Sequence, residues 1–479
     1  MKKESCGVFG IISNEEDKAS SMIYNGLIAL QHRGQESCGL SLIDESEIHL
    51  KKSMGLVVNA ISSDLLKSMK GKVGIGHVRY STVGGSRLRD AQPFMVDYPK
   101  RGIVLAHNGN LVNYLDLRKE LNENGRHLTS SCDAEIILNV LAEELLKNKD
   151  VENAVLNLMQ RIEGSYSTVA FTGEKKFIAF RDPHSFRPFC FGENENAKIF
   201  ASESVALQAN DAELKYDVKG GELIISDEDG NIERKKILPC KRKHCMFEYV
   251  YFSRPDSVIE KKSVYDVRVE LGKNLAKTYS SDADVIIPVP DTSRPAAEGI
   301  ARETGLPVAE GLIKNRYIWR TFIMPSQTMR DDAVNVKLSP VNSVLKDTHI
   351  ILVDDSIVRG TTSKKIVNLV KKAGAKRVDV WITCPPIISP CFYGIDIATH
   401  GELIAANNSI DEIRKIIGAD KLCYQTIEGL VNAIGFKKSE LCLACLTGEY
   451  PTPLAQSVAE KMKSQTSLKR IRYWEKELE

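Results

Sequence analysis

The spacing of hydrophobic positions changes along the chain near residues 230–250. Before this point, short apolar runs alternate with turns rich in Gly, Asn and Asp, as at residues 102–105, 168–171 and 177–180. Helical spacing lies between such runs, most clearly at residues 133–146. Many short strands with few helices are typical of folds in which sheets and helices form separate layers. We therefore predict an α+β fold for the first half of the chain.

In the second half, strand patterns and helix patterns alternate. Residues 285–289, 349–353 and 378–382 are apolar runs, and residues 363–373 have the spacing of a helix with one buried face. Continuous apolar strands joined by helices indicate an α/β fold with a parallel sheet. In such sheets, ligands bind beyond the carboxyl ends of the strands. The second half is therefore predicted to carry a ligand site at that edge.

Composition and charge exclude several classes of protein. The 479 residues include 65 Lys+Arg and 63 Asp+Glu, and a net charge of +2 argues against a dedicated nucleic-acid binder. No stretch approaches the ~18 consecutive apolar residues of a membrane span. The short apolar run from Cys6 is followed by acidic residues, not by a signal cleavage site. We expect a cytoplasmic protein, whose eleven cysteines include catalytic or metal-binding residues and form no disulfide framework.

Polar clusters follow several apolar runs of the first half. They read QHRGQE from residue 31, GHVRYST from residue 76, HNGN from residue 107 and SCDAE from residue 131. Cys6 begins the run CGVFGI, close to the start of the chain. A thiol that attacks a carboxamide needs a base, hydrogen-bond donors for the developing oxyanion, and charges that position the substrate. These clusters contain candidates for each of the three.

Five residues would meet these needs. If residues 1–5 are removed, the α-amino group of Cys6, with an ordinary pKa of about 7.7–8.0, becomes a base. The side-chain N–H of Asn108 and the backbone N–H of Gly109 would form an oxyanion hole. Arg79 suits the α-carboxylate of an amino acid and Asp133 its α-ammonium group. Taken singly, these residues also have plainer interpretations, as a buried cysteine, a hairpin turn and surface charges.

The order of these motifs resembles the class II glutamine amidotransferases, which are N-terminal-nucleophile hydrolases. The resemblance covers residues 6–235 and implies an αββα arrangement of layers. It assigns the release of ammonia from glutamine to Cys6, Arg79, Asn108, Gly109 and Asp133. Because Cys6 does not follow Met1 directly, the resemblance also implies a propeptide, residues 1–5, and we expect this propeptide to be removed by self-cleavage.

In the second half, Asp354 and Asp355 follow the apolar run 349–353 and precede a loop that opens a helix. The backbone N–H groups and hydroxyls of residues 359–363 can surround a phosphate, with help from the helix dipole. The two carboxylates can hold ribose hydroxyls and a hard cation. Considered alone, the same loop could also be a surface acidic pair before an ordinary helix cap.

The loop sequence VDDSIVRGTTS resembles the motif with which type I phosphoribosyltransferases bind phosphoribosyl pyrophosphate (PRPP). The form of this loop, together with residues 289–293 and 314–327, resembles the glutamine PRPP amidotransferases in particular. The resemblance implies Mg²⁺ positions at Thr292, Asp354 and Asp355. Residues 314–337 would include a loop that closes over the pyrophosphate, in which Trp319 replaces the usual glycine. The complete set expected to contact PRPP is Asp354, Asp355, Ser356, Arg359, Gly360, Thr361, Thr362, Ser363, Lys314, Arg316 and Lys337.

Together the motifs identify the chain as a member of the glutamine PRPP amidotransferase family. The implied reaction uses ammonia from glutamine to displace pyrophosphate from PRPP, giving 5-phosphoribosylamine, the committed step of purine synthesis. The resemblance implies inhibition by purine nucleotides and a homotetramer or dimer, of which we expect the homotetramer, and we expect no nucleic-acid or membrane partner. The basic segment 233–244 is predicted to be a connector. The predicted units are a propeptide at 1–5, an amidotransferase domain at 6–235, a transferase domain at 236–453 and a helical tail at 454–479.

The cysteines of the second half point to a further group. The CxxC pair of Cys442 and Cys445 is a weak signal alone, because zinc sites and redox pairs share it. By resemblance to the iron–sulfur subgroup of the family, these two residues with Cys245 and Cys391 would hold a structural [4Fe–4S] cluster, and zinc or free thiols are the alternatives. The remaining cysteines are expected to be ordinary core or surface thiols: Cys38, Cys132, Cys190, Cys240, Cys384 and Cys423.

Two other functions fit parts of the sequence. A regulator that senses PRPP would need the phosphate loop but not the residues around Cys6. A glutaminase coupled to a sugar isomerase would make an aminosugar, and it would lack the acidic loop at 354–363. Glutamine hydrolysis that depends on PRPP, and not on fructose 6-phosphate, distinguishes the amidotransferase from both.

Overall fold

The computed structural model describes residues 6–80, 87–148, 150–227, 229–315, 338–397 and 399–464. The predicted propeptide, Arg316, Trp319 and Lys337 lie outside these ranges. Within the described ranges, no helix has both the length and the apolar character needed to cross a membrane.

The first half forms two antiparallel sheets. In spatial order, the first sheet consists of Glu213–Asp217, Cys190–Glu193, Ala197–Ala201, Gly7–Ser13, Val73–Arg79, Ser37–Ile43 and Ile48–Met54. The second sheet consists of Ile232–Lys236, Glu222–Ser226, Phe177–Arg181, Gly164–Thr172, Ile103–Leu111 and Phe94–Val96.

The two sheets face each other, and helices cover their outer faces. Val8 packs between the sheets with Val169, whereas its neighbour Phe9 points to the other side, because successive residues of a strand face opposite ways. On the first sheet, that outer side is covered by helix Ala19–Ala29. Helices Asp133–Asn148 and Val151–Arg161 cover the second sheet. The predicted αββα layers are confirmed.

The second half is built on a parallel sheet, as predicted. Its strands in spatial order are Val285–Pro288, His349–Asp354, Arg377–Ile382 and Lys421–Tyr424. Helices Val264–Thr278 and Arg294–Thr304 pack on one face of the sheet, around Trp381. Helices Thr361–Lys372 and Ile410–Ile417 contribute to the core on the other face.

Smaller elements complete both halves. Three pairs of short strands are His244–Cys245 with Leu441–Cys442, Val258–Ile259 with Lys262–Ser263, and Leu312–Lys314 with Leu338–Pro340. A π-helix spans Glu248–Phe252. The remaining α-helices are Val57–Ala60, Ser63–Ser68, Tyr114–Glu123, Val205–Gln208, Asn342–Leu345, Ile404–Asn407, Ile427–Ile434, Ala444–Thr447 and Pro453–Ser464. Short 3₁₀-helices are Leu88–Asp90, His400–Glu402 and Lys438–Glu440.

The basic segment 233–244 differs from its prediction. Its first part belongs to the strand Ile232–Lys236, which pairs with Glu222–Ser226 at the edge of the second sheet. Edge strands often carry charged side chains, because these discourage pairing with other chains. The charges of this strand made it resemble a polar connector in the sequence. The part that joins the two halves is shorter, at residues 237–243.

The end of the chain returns to the first half. Tyr393, Tyr450 and Val458 are buried in the same core cluster as the second sheet and its helices. Helix Pro453–Ser464 lies in the predicted helical tail, of which residues 465–479 lie outside the described ranges. The two halves therefore share a core along this contact.

Candidate active sites

A buried cavity lies where the first sheet meets the second. Strand Gly7–Ser13 begins beside it, strand Val73–Arg79 ends beside it, and strand Ile103–Leu111 crosses it. The residues that line the cavity are Cys6, Arg79, Tyr80, Gln92, His107, Gly109, Cys132 and Asp133. The fold thus brings together four of the five residues predicted for amide chemistry, and the fifth, Asn108, is their chain neighbour.

The thiol of Cys6 is buried and hydrogen-bonded to a carbonyl. Its Sγ donates to the carbonyl oxygen of Tyr80 at 3.3 Å. Burial raises the pKa of the Cys6 thiol above its ordinary value. A protonated thiol is a poor nucleophile, so this sulfur needs a base beside it to react. Among the described residues, its hydrogen-bond partner is a carbonyl group and not a base.

Asp133 begins helix Asp133–Asn148 and is fixed by two hydrogen bonds. His107 Nε2 lies 3.0 Å from its Oδ1, and the backbone N–H of Leu111 donates to Oδ2 at 3.0 Å. Burial acts to raise the pKa of Asp133, but attraction to His107 and these hydrogen bonds hold it below the ordinary value. The helix N-terminus also favours a negative charge. The cavity therefore contains an ionised carboxylate suited to an ammonium group.

Close strand spacing explains why residue 109 is glycine. A Cβ atom at Gly109 would lie 1.9 Å from the carbonyl oxygen of Ser165 in the neighbouring strand. Beside it, Asn108 is fully buried, and its Nδ2 donates to Ser202 Oγ at 3.4 Å. Ser202 Oγ also accepts from the backbone N–H of Val8 at 3.0 Å. Asn108 is thus held close to the strand that begins at Cys6.

Four residues that line the cavity were missed by the sequence analysis, and one of them is His107, which binds Asp133. Gln92 accepts the backbone N–H of His107 at 2.8 Å through Oε1, and its Nε2 lies 3.7 Å from Cys132 Sγ. Tyr80 provides the carbonyl bound by the Cys6 thiol. Cys132, which was expected to be an ordinary thiol, is buried beside Asp133. Gln92 and Tyr80 had no distinguishing signal, whereas adjacency to Asp133 could have indicated Cys132.

A second group of polar residues lies at the carboxyl edge of the parallel sheet. Asp354 ends strand His349–Asp354, and Thr292 follows the neighbouring strand. The Thr292 hydroxyl donates to Asp355 Oδ2 at 2.7 Å, and the Ser356 hydroxyl donates to Oδ1 at 2.6 Å. The backbone N–H of Asp355 donates to Asp354 Oδ1 at 2.9 Å. The structure therefore brings the three predicted Mg²⁺ residues together.

The helix after this loop begins earlier than predicted. Gly360 has a left-handed φ of 74° at the cap, and helix Thr361–Lys372 starts directly after it. Thr361, Thr362 and Ser363 therefore form its first turn, where backbone N–H groups have no partner within the helix. This is the arrangement that suits a phosphate.

Two basic residues predicted near PRPP are held by acidic neighbours. Arg359 Nη2 pairs with Glu402 at 3.0 Å. Lys314 Nζ pairs at 2.6 Å with Oδ2 of Asp291, the residue that precedes Thr292. Lys314 is therefore close to the acidic loop, whereas Arg316 and Lys337 lie outside the described residues.

The four cysteines predicted for a cluster lie near one another. Cys245 and Cys442 occupy paired positions on adjacent parallel strands. Burial raises the pKa of Cys442 and of Cys445, and negative charges on Cys245 and Cys391 would raise both further. Cys391 Sγ accepts a hydrogen bond from the backbone N–H of Tyr393 at 3.3 Å. In the described part of the chain, no three His, Cys, Asp or Glu side chains are grouped for a single metal ion.

Both halves of the chain are similar to known protein families. The chain matches the family model of a glutamine amidotransferase domain over residues 77–209 and that of a phosphoribosyl transferase domain over residues 261–387. It is 50% identical over 463 residues to the amidophosphoribosyltransferase of Methanocaldococcus jannaschii, which covers 93% of this chain and 98% of that relative.

Two solved structures match nearly the whole fold. Glutamine PRPP amidotransferase from B. subtilis, in complex with ADP and GMP, has a TM-score of 0.86 at 40% identity, and the match covers 94% of this chain and 98% of that one. A structure named the allosteric regulatory enzyme of purine biosynthesis has a TM-score of 0.87 at 41% identity, and the match covers 94% and 97% of the two chains.

Proposed function

The chain belongs to the amidophosphoribosyltransferase family, and on that premise we propose how its two sites divide the reaction. Ammonia released from glutamine displaces pyrophosphate from PRPP and gives 5-phosphoribosylamine, in the first committed step of purine synthesis. We assign glutamine hydrolysis to the cavity around Cys6 and the displacement to the loop at Asp354. The observation that carries this assignment is a buried cavity lined by a thiol, a guanidinium, a glycine and an ionised carboxylate.

In the glutaminase site, Cys6 is the nucleophile. Its α-amino group takes the thiol proton, and the sulfur attacks the carboxamide carbon of glutamine. The oxyanion is stabilised by the side-chain N–H of Asn108 and the backbone N–H of Gly109. Collapse of this intermediate releases ammonia with the transferred proton and leaves a thioester, which water hydrolyses to glutamate. Arg79 and Asp133 hold the α-carboxylate and α-ammonium groups of the substrate.

This mechanism requires removal of residues 1–5. The raised pKa of the Cys6 thiol and its bond to the Tyr80 carbonyl support the need for an additional base. A free α-amino group on Cys6 supplies that base at the right place. We propose that the propeptide is removed by self-cleavage.

The acidic loop of the second half binds PRPP. Thr361, Thr362 and Ser363 hold the 5′-phosphate at the helix N-terminus, with Ser356, Arg359 and Gly360 completing the loop. Asp354 and Asp355 bind the ribose hydroxyls. Lys314, Arg316 and Lys337 are proposed to stabilise the negative charge on the leaving pyrophosphate.

The oxygen donors at this loop fit Mg²⁺. Thr292, Asp354 and Asp355 provide hydroxyl and carboxylate oxygens, the ligands that this ion prefers, and the Thr292–Asp355 hydrogen bond holds them in one place. When bound, Mg²⁺ neutralises charge on the pyrophosphate. The three side chains orient the substrate from the ends of two neighbouring strands.

The four-cysteine site is proposed to hold a [4Fe–4S] cluster. Cys442 is buried and Cys245, Cys391 and Cys445 are partly buried. Thiolate sulfur is the donor that such a cluster takes, and zinc takes the same donor. When bound, the cluster supplies a cross-link between segments distant in sequence. The pairing of Cys245 with Cys442 supports this role, because it already joins strand His244–Cys245 to strand Leu441–Cys442.

Setting, regulation and domain division are further parts of this proposal. All eleven cysteines, each of which lies in the described part of the chain, are free thiols, which supports a reducing, cytoplasmic environment. The ADP and GMP bound to the B. subtilis relative support inhibition by purine nucleotides. The matched regions 77–209 and 261–387 support a division into two domains. Because strand Ile232–Lys236 spans residue 235, we put this division at residues 237–243 and not at 235. A homotetramer is proposed from the family resemblance.

The variant Cys6→Ser tests the division of the reaction. Glutamine-dependent synthesis should fall by at least about 10³-fold, because the thiolate is lost. Synthesis from added ammonia should stay within about twofold, because displacement of pyrophosphate does not use the thiol. Cys38→Ser, a buried thiol in the same sheet, is the matched control and should leave both rates unchanged.

The same preparations test the propeptide. An intact-mass measurement should show that the wild-type chain begins at Cys6, whereas the Cys6→Ser chain should retain residues 1–5 if cleavage is autocatalytic. Equal loss of both activities in Cys6→Ser, or full glutamine use by a chain that still begins at Met1, would contradict the proposal.

A further inference from the structure

A carboxylate from the second half is buried against the glutaminase half. Glu248 begins the π-helix Glu248–Phe252 and is 1% exposed. Its Oε1 accepts from Arg33 Nη2 at 2.8 Å and from Arg187 Nη1 at 2.9 Å. Its Oε2 accepts from Arg33 Nη1 at 3.0 Å and from Ser253 Oγ at 2.8 Å. One side chain therefore holds two arginines of the other half.

Arg33 extends this contact to the nucleophile. Its Nε donates to the backbone carbonyl oxygen of Cys6 at 2.9 Å, while its Nη1 also bonds to Glu203. The guanidinium is planar and its donors have fixed directions. Once Glu203 and Glu248 bind the two Nη atoms, the direction of Nε toward Cys6 is determined.

Arg187 extends the same contact toward the oxyanion strand. Its Nε donates to the carbonyl oxygen of Tyr393 at 3.0 Å, and Ser165 Oγ donates to that oxygen at 2.9 Å. The next residue, Gly394, lies so close that a Cβ would be 2.8 Å from Arg187 Nη2 and 3.2 Å from the carbonyl of Gly109. Glu248 thus lies between the supports of Cys6 and those of Gly109.

The network is ionised although it is buried. Burial acts to raise the pKa of Glu248, but the charges of Arg33 and Arg187 hold it below the ordinary value. A buried ion network adds little net stability compared with apolar packing, because each charge loses its water. What a fully paired network provides is a fixed geometry for the groups that it binds.

We propose that Glu248 is a positioning residue for glutamine hydrolysis, acting through Arg33 on the Cys6 backbone and through Arg187 on the strand that carries Gly109. This inference rests on the proposed role of Cys6 as the nucleophile. Because Glu248 comes from the transferase half, correct docking of that half is a condition for an active glutaminase. Displacement of pyrophosphate by free ammonia does not depend on it.

The variant Glu248→Gln tests this role. Its amide N–H₂ would face an arginine donor, so the Arg33 guanidinium would lose its fixed direction. The kcat of glutamine hydrolysis should fall by about 10- to 100-fold, the effect of misplacing a reacting group by about 1 Å. The KM for glutamine should change much less, and ammonia-dependent synthesis should stay within about twofold. Alkylation of Cys6 by iodoacetamide should slow in parallel with kcat.

A second ion pair between the halves provides the matched control. Arg181 of the first half pairs with Glu260 of the second at 2.7 Å, and Arg181 is buried. This pair does not contact Cys6. Glu260→Gln should therefore lower stability without changing the ratio of glutamine-dependent to ammonia-dependent rates. If Glu260→Gln and Glu248→Gln change that ratio equally, Glu248 contributes only to docking and the proposal is wrong.

Arg33→Lys keeps the proposal testable if Glu248→Gln does not fold. Lysine retains the charge but cannot bind both carboxylates and the Cys6 carbonyl, so the same selective loss of glutamine use is expected. If both variants lose ammonia-dependent synthesis as well, the network is a folding element and the inference fails. If Cys6→Ser retains glutamine use, the assignment of the nucleophile fails instead.

Discussion

Burial has opposite outcomes for the two titratable residues at the centre of the glutaminase cavity. It raises the pKa of the Cys6 thiol, whose hydrogen-bond partner is a carbonyl. For Asp133 the same effect is outweighed by His107 and by the Leu111 N–H, so the pKa is lowered. A protonated thiol therefore lies beside an ionised carboxylate. Only the thiol needs a further group to become reactive, which is why the proposed mechanism depends on removal of the proposed propeptide.

Both the close spacing of the strands and the proposed chemistry require a glycine at position 109. Gly109→Ala would place a Cβ 1.9 Å from the Ser165 carbonyl oxygen, so the two strands must move apart. We expect the free energy of unfolding to fall by about 1–3 kcal/mol. The kcat of glutamine hydrolysis should fall by about 10²- to 10³-fold, because the Gly109 N–H leaves the oxyanion position. Thermal unfolding and steady-state glutaminase assays measure the two effects.

Gly401→Ala is the matched control for this prediction, because no atom other than those of the adjacent residues lies within 4 Å of a Cβ at that position. It should leave both stability and glutamine hydrolysis unchanged. A Gly109→Ala enzyme with normal glutamine hydrolysis would remove the Gly109 N–H from the oxyanion hole. Loss of ammonia-dependent synthesis as well would show that the substitution damages more than the cavity.

Sequence identifies single residues when a motif contains them. Cys6, Arg79, Asn108, Gly109 and Asp133 were predicted in this way, and the fold places four of them around one cavity, with Asn108 next to Gly109 in the chain. Contacts between distant segments have no such signal. Glu248 meets Arg33 across 215 residues of chain, and neither residue has a pattern that indicates the other, so this contact appears only in the folded structure.

At the scale of elements, the ends of parallel strands bring together residues that are proposed to bind PRPP. Thr292 and Asp355 are 63 residues apart, yet a hydrogen bond of 2.7 Å joins them. This follows from the pairing of Val285–Pro288 with His349–Asp354, whose carboxyl ends lie at one edge of the sheet. The apolar pattern predicted both strands and their parallel direction, whereas the expectation that Thr292 lies with Asp354 and Asp355 came from the family resemblance.

Asp354→Asn tests the proposed PRPP site at this edge. The variant keeps an oxygen that can accept the Asp355 N–H, a hydrogen bond of 2.9 Å, so the loop should fold normally. It loses the negative charge proposed to bind the ribose and the cation. The KM for PRPP should rise by roughly 10- to 100-fold, the effect expected for a hydrogen bond to a charged group. Ammonia-dependent synthesis at varied PRPP concentration measures this change.

The opposite edge of the sheet provides the control for that variant. Asp284 precedes the first strand and accepts the backbone N–H of His349 at 2.7 Å. Asp284→Asn makes the same chemical change far from the phosphate loop, and the KM for PRPP should stay the same. An unchanged KM in Asp354→Asn would exclude that residue from the site.

Some elements and element boundaries could not be predicted from the sequence pattern. The strand Lys421–Tyr424 has only four residues, too few to show a period, although it forms an edge of the parallel sheet. The strand Ile232–Lys236 was hidden by the charges that suit an edge position. Helix Thr361–Lys372 starts earlier than predicted because the residues of its first turn are polar, so the apolar spacing of the helix does not extend to them. Polar residues at this position suit a phosphate site.

At the scale of the whole molecule, the second half completes the first. Asn110 Nδ2 donates to the Phe392 carbonyl oxygen at 2.9 Å, and Tyr393 is buried in the core under the second sheet. Similarity to amidophosphoribosyltransferases over 93% of the chain decides against a PRPP-sensing regulator and an aminosugar synthase. The contacts explain why neither half is expected to work as an independent module.

The four-cysteine site is adjacent to this contact, because Cys391 directly precedes Phe392. Protein purified without air should contain iron and acid-labile sulfide in about equal amounts and be brown. Cys442→Ser should lose both, and its Tm should fall by at least about 5 °C, because strand Leu441–Cys442 is no longer cross-linked to strand His244–Cys245. Cys240→Ser changes an exposed cysteine and should retain iron, sulfide and Tm. Zinc in place of iron would assign the site to a structural zinc ion. If instead the purified protein contains no metal and Cys442→Ser has an unchanged Tm, the thiols only fill the core.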